Sequence, residues 1–72
     1  MKDGVYLKKL GEKIALLRKD KGLSQEQLAE RLGTKHTQIG RVERGEANST
    51  INMLRKIANE LEITIEELVT VE

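Results

Sequence analysis

Three features of the amino-acid sequence predict an all-α fold. Proline is absent and Tyr6 is the single aromatic among 72 residues otherwise rich in Leu, Ile, Glu, Lys and Arg, a composition that favours helix over strand. Apolar residues recur at steps of three and four, the period of an amphipathic helix. Glycines and Ser/Thr capping signals divide that pattern into five segments. A chain of this length buries only about 60% of its unfolded surface, enough for one domain over residues 1–72. With no cysteine, neither a disulfide nor a thiolate metal site can support the core, so stability rests on packing and caps.

In helix one, over about residues 6–21, Leu7, Leu10, Ile14 and Leu17 form the apolar stripe and Gly22 stands where a left-handed C-terminal residue belongs. Ser24 and Gln27 make a capping box for helix two, with Leu23 and Leu28 as its hydrophobic staple. That helix runs to Leu32 and stops at Gly33, about two and a half turns. Thr34 is the predicted cap of helix three, whose inner stripe is Ile39 and Val42 and whose end is marked by Gly45. Two short helices joined by a tight, glycine-bearing turn make a helix-turn-helix over residues 24–45. Ser49 or Thr50 caps an amphipathic helix four carrying Ile51, Leu54, Ile57, Ala58 and Leu61. Thr64 and Glu67 form a second capping box for a short helix five, stapled by Ile63 and Leu68, so that helices four and five fill residues 50–70.

The net charge of +1 conceals an asymmetry: residues 1–45 hold eleven Lys or Arg against six acids, whereas residues 46–72 hold two against six. One positive face fits a nucleic-acid binder, although solvated helix faces give the same count. The amino terminus carries charges and no apolar run suited to a signal peptide, and no stretch approaches the roughly 18 residues of a membrane span. No membrane association and a cytoplasmic location are therefore expected. There is no nucleophile–base constellation, phosphate-cradling glycine loop or metal-ligand spacing, so the chain is not read as an enzyme and no cofactor or small-molecule ligand is inferred.

The residues Arg18, Gly22-Leu23-Ser24-Gln25, Leu28-Ala29, Gly33, Ile39, Glu43 and Gly45, followed by Ile51, Leu54, Ile57 and Ala58, resemble the Cro/C1-type (XRE-like) helix-turn-helix family over about residues 10–69. The resemblance implies a compact five-helix bundle of the lambda-repressor-like DNA-binding type, commonly homodimeric, in a bacterial or phage setting. By the same resemblance Gln25, at the start of helix two, matches a phosphate-binding position, and His36, Thr37 and Arg41 match base-reading positions on helix three. Chemistry agrees for Gln25, because an amide at a helix N-terminus adds its donors to exposed backbone N–H groups and a positive dipole end.

Thr37, Gly40, Arg41 and Arg44 lie opposite Ile39 and Val42 on a helical wheel and are expected to face outward, with His36 flanking them. Arg41 is the first candidate for specificity, since a guanidinium can donate a bidentate pair to guanine O6 and N7. Thr37 could contact thymine's methyl group or donate to an acceptor. His36, the only histidine and without a cysteine partner, is read as a groove contact or a solvent residue rather than a metal ligand. Lys35 and Arg44, near the ends of helix three, suit phosphate neutralisation, with ordinary surface charge as the alternative.

The pattern departs from the family at two positions. Gly40 stands inside a helix, where glycine costs roughly 0.8–1.0 kcal/mol relative to alanine; close backbone approach to the groove would justify it, and drift would equally account for it. Ser49 stands where proline is common before helix four, leaving the stiffness of the 45–50 loop open. Arg18 projects near helix one's apolar stripe and therefore needs a partner, and Glu43 matches the family's partner acid. Their ion pair would lock helix three onto helix one.

The expected function is thus a sequence-specific DNA-binding regulator that recognises a two-fold site in double-stranded DNA as a homodimer. Leu16, Val5, Tyr6, Val69 and Val71 are candidate dimer contacts. The competing reading is a protein-interaction module such as an antitoxin.

Overall fold

The computed structural model describes residues 3–71 and contains five helices: α1 (Asp3–Asp20), α2 (Gln25–Leu32), α3 (His36–Glu43), α4 (Ile51–Glu60) and α5 (Ile65–Val69). Among the described residues there is no strand. Each helix brings at least one fully buried side chain to a common core: Ile14 from α1, Leu28 from α2, Ile39 from α3, Ile57 from α4 and Leu68 from α5, with Leu61 at the end of α4. Full burial of a Leu or Ile side chain stabilises by about 1.5–3 kcal/mol, which is how five short helices hold together without a covalent tie.

The predicted helix ends agree with the structure where the signal is local. Ser24 accepts from the Gln27 amide and Gln27 Oε1 accepts from the Ser24 amide; Thr64 and Glu67 repeat the arrangement at α5. Gly33 ends α2 in the left-handed region, at φ +69°. Two expectations need correction, and one open alternative is resolved. α1 begins at Asp3 rather than near residue 6, because its first turn extends past the apolar stripe, with Gly4 and Val5 exposed and leaving no periodic signal. Thr34 does not cap α3. Its amide donates to Ala29 O at 2.9 Å, which commits it to closing α2, and the N-cap is Lys35, whose side chain makes no capping hydrogen bond. Of the two residues proposed to cap α4, Thr50 does so, accepting from the Met53 amide, while Ser49 Oγ is buried without a partner.

Two glycines set the approach of α1 to α3. A Cβ at Gly11, in the middle of α1, would overlap the Val42 and Glu43 carbonyls, so only glycine allows the two backbones to cross there. Gly45, at φ +74°, lets the chain leave α3 beside α1, where a Cβ would stand 2.7 Å from Lys8 Cα. At its other face α1 secures α5. Tyr6 Oη donates to Val69 O at 2.6 Å, and Lys13 Nζ donates to the Glu67 and Thr70 carbonyls at the carboxyl end of α5. Tyr6, Val69 and Val71 are partly buried against the core, whereas Leu16 and Val5 remain 70% and 47% exposed.

Candidate nucleic-acid interface

The inner side of α3 is anchored before its outer side is presented. Ile39 and Val42 are buried, and Glu43 is held by a buried ion pair in which Arg18 Nε donates to Oε2 at 2.7 Å and Nη2 to Oε1 at 3.1 Å. Arg18 Nη1 also donates to Leu23 O at 2.7 Å, so one guanidinium joins α1, the turn before α2 and the last turn of α3. The expected Arg18–Glu43 pair is present in the structure, and its placement explains how a cation is tolerated on the core stripe of α1.

Gln25 extends this network. Its Nε2 donates to Glu43 Oε1 at 2.9 Å, and the side chain is half-buried. The amide proposed from sequence as a phosphate grip is therefore oriented by the same carboxylate that binds Arg18. Spacing could not reveal this contact, which joins residues 18 positions apart.

With that scaffold in place, α3 presents His36, Thr37 and Arg41 as exposed side chains, flanked by exposed Lys35 and Arg44. Thr37, Arg41 and Arg44 fall on one helical face. Gly40 departs from the expected arrangement. It is buried beneath side chains, since a Cβ there would lie 3.0 Å from Arg44 Nη1 and 3.5 Å from Gln25 Oε1. Its outward direction is real, but Gln25 and Arg44 fold over it because glycine leaves that space empty.

The two arginines on this face differ electrostatically. Arg41 has no carboxylate in ion-pair contact among the described residues. Arg44 is paired with Glu46, through Nε to Oε2 at 3.0 Å and Nη2 to Oε1 at 3.1 Å. The Arg44 hydrogen bond holds the Glu46 carboxyl below the usual glutamate range, partly opposed by desolvation, with charge attraction from Arg44 and Arg41 adding to the lowering. The same hydrogen bond raises Arg44 further above its already high value. Glu46 was not among the site residues expected from sequence, and the acid two positions after Arg44 was the only signal for it.

The described residues contain no group of three potential metal-ligating side chains, and no helix among them is long and apolar enough to cross a membrane. Their distinctive feature is a short helix, fixed on its inner side by apolar packing and a buried ion pair, with polar and cationic side chains on its outer side.

Comparison with known proteins places this arrangement in context. A helix-turn-helix family model matches residues 14–68. Control protein C.SmaI of Serratia marcescens is 43% identical over 61 residues, covering 85% of this chain and 73% of that protein. The crystal structure of the restriction-modification controller protein C.AhdI from Aeromonas hydrophila matches with a TM-score of 0.82 and 42% identity, covering 86% of this chain and 94% of that one. The biofilm master regulator SinR, crystallised in complex with DNA, matches with a TM-score of 0.79 and 31% identity over 85% of this chain and 98% of that one.

Proposed function

We propose that this chain, which belongs to the Cro/C1-type helix-turn-helix family of DNA-binding transcription regulators, reads a two-fold DNA site as a homodimer with α3 of each protomer in the major groove. Members of this family are regulators rather than enzymes. The observation that carries the finer reading is the division of α3 into an inner face locked by Ile39, Val42 and the Arg18–Glu43 pair and an outer face bearing His36, Thr37 and Arg41. A helix held this rigidly can read base edges, because its side chains need little further ordering on binding.

In this reading Arg41 is the principal base-reading residue, with Thr37 and His36 beside it. Gln25, Lys35 and Arg44 contact phosphate, and Gly40 allows Gln25 to lie close to α3. Homodimerisation is supported by the exposed Leu16 and Val5 on α1 and by the advantage that two basic faces hold over one when each chain carries a net charge of only +1. DNA binding of this kind implies a cytoplasmic location in a bacterial or phage-infected cell. The likeness to two control proteins, one named as a restriction-modification controller, favours a controller role.

Selection of bound duplexes from random DNA tests the proposal. The expected result is an enriched two-fold motif whose half-site centres lie about 34–36 Å apart, one helical turn, or a multiple of that spacing. Absence of enrichment would overturn it and favour the protein-interaction module.

A further inference from the structure

We propose that Glu46 competes with DNA phosphate for Arg44, lowering affinity for all DNA sequences without altering which sequence is preferred. The inference rests on the DNA-binding reading above. Three separate features support it.

The first is geometry. The two parallel N–H···O bonds from Arg44 Nε and Nη2 to the two oxygens of Glu46 form the bidentate arrangement that a guanidinium also makes with phosphate. The same donors cannot serve both acceptors at once.

The second is the placement of Glu46. Its amide donates to Arg41 O at 2.9 Å and the Gly45 amide donates to Val42 O at 3.0 Å, closing the carboxyl end of α3. Gly45 in turn sits against the Lys8 backbone. The carboxylate is thereby carried on backbone tied to the end of the recognition helix.

The third is Gly40, one turn before Arg44. A Cβ at this position would approach Arg44 Nη1 to 3.0 Å, so the guanidinium lies back along α3 in space that a side chain would otherwise fill. Gly40 and Glu46 together therefore keep Arg44 folded onto its own helix.

The pair is well exposed, at 59% and 54% for the two side chains. Exposed pairs are weak, so phosphate can displace the carboxylate, and the result is competition rather than a lock. When Arg44 turns to DNA, Glu46 is left as an unneutralised negative charge near the backbone and near Arg41, whose positive charge it also feels. Because phosphates carry no direct sequence information, the penalty is uniform across sequences.

A double-mutant cycle of wild type, Glu46→Gln, Arg44→Ala and the combined variant provides the test, with duplex affinity measured over a range of salt concentrations on a selected site and on random DNA. Glu46→Gln is expected to tighten binding to both duplexes by about two- to fivefold and to steepen the slope of log K against log salt by up to about 0.9, as a phosphate contact made only in competition becomes fully made. Arg44→Ala is expected to weaken wild type by less than about twofold but the Glu46→Gln protein by about two- to fivefold. Thermal melts of the four proteins exclude altered folding as the source, and Glu46→Ala serves in place of Glu46→Gln if the latter melts early. An equal loss from Arg44→Ala in both backgrounds, or unchanged affinity on removal of the Glu46 charge, overturns the proposal while leaving DNA binding intact. Failure of all four proteins to bind any duplex overturns the DNA-binding reading and this inference with it.

Discussion

Arg18 and Glu43, 25 residues apart, form a two-point ion pair whose side chains are only 8% and 6% exposed. Removing one member of a buried pair leaves the other charge uncompensated, at a cost of about 3–5 kcal/mol. Arg18→Ala and Glu43→Ala should therefore each approach the limit of what a domain this small can lose. Denaturant unfolding of both single variants and the double is expected to show strong coupling, with the double less destabilised than the two singles combined. Additive effects would mean that the two charges do not act on each other.

The caps provide a second test. Ser24→Ala and Thr50→Ala each remove a side-chain acceptor from a helix start and should lower stability by about 0.5–2 kcal/mol. Thr34→Ala should cost clearly less than Thr50→Ala, because Thr34 closes α2 through its backbone amide, which alanine retains. Similar losses at both threonines would restore Thr34 as a cap of α3.

Two interior glycines should respond in opposite directions to alanine. At Gly11 the new methyl would meet the Val42 and Glu43 carbonyls, so the helices must separate, and overpacking of this kind costs about 1–3 kcal/mol or more. At Gly40 the close neighbour is the movable end of Arg44, and the helix-propensity gain of about 0.8–1.0 kcal/mol should dominate. Thermal unfolding of the two variants checks the sign of each effect.

Base reading and phosphate contact separate in a selection experiment at fixed salt. Arg41→Ala should relax preference at one base pair in each half-site, at a cost of about 1–3 kcal/mol. Gln25→Ala should weaken all sequences alike and also reduce stability, since its amide hydrogen bond to the Glu43 carboxylate is lost. If Arg41→Ala left the preferred motif unchanged, the specificity assignment would pass to His36 or Thr37.

The Arg44–Glu46 contact has a pH signature. A carboxyl lowered on folding contributes stability above the ordinary glutamate range, and that contribution is lost as pH falls through the depressed value. In an NMR titration the Glu46 carboxyl should therefore protonate at lower pH than an isolated glutamate and move back upward in Arg44→Ala. An identical titration in the two proteins would show that the hydrogen bond is not populated in solution.

The sequence by itself determined the features that depend on neighbours a few positions apart. Ser24 with Gln27, Thr64 with Glu67, the left-handed stop at Gly33 and the inward Ile39–Val42 stripe are short-range patterns, and each is present in the structure. The Arg18–Glu43 pair was also legible, because a cation near an apolar stripe demands a partner and the family pattern supplied one. Tertiary structure alone decided the rest. Gly11 is required by an α3 backbone that lies across it, Gly40 is covered by Gln25 from another helix, and Gln25 is oriented by Glu43. Thr34 shows the same division at short range: as a residue type it suits a helix start, but the backbone bond that closes α2 claimed it first. Periodicity and capping report which face of a helix is apolar and where it ends, whereas these contacts depend on what lies opposite, and that is settled only when the helices pack.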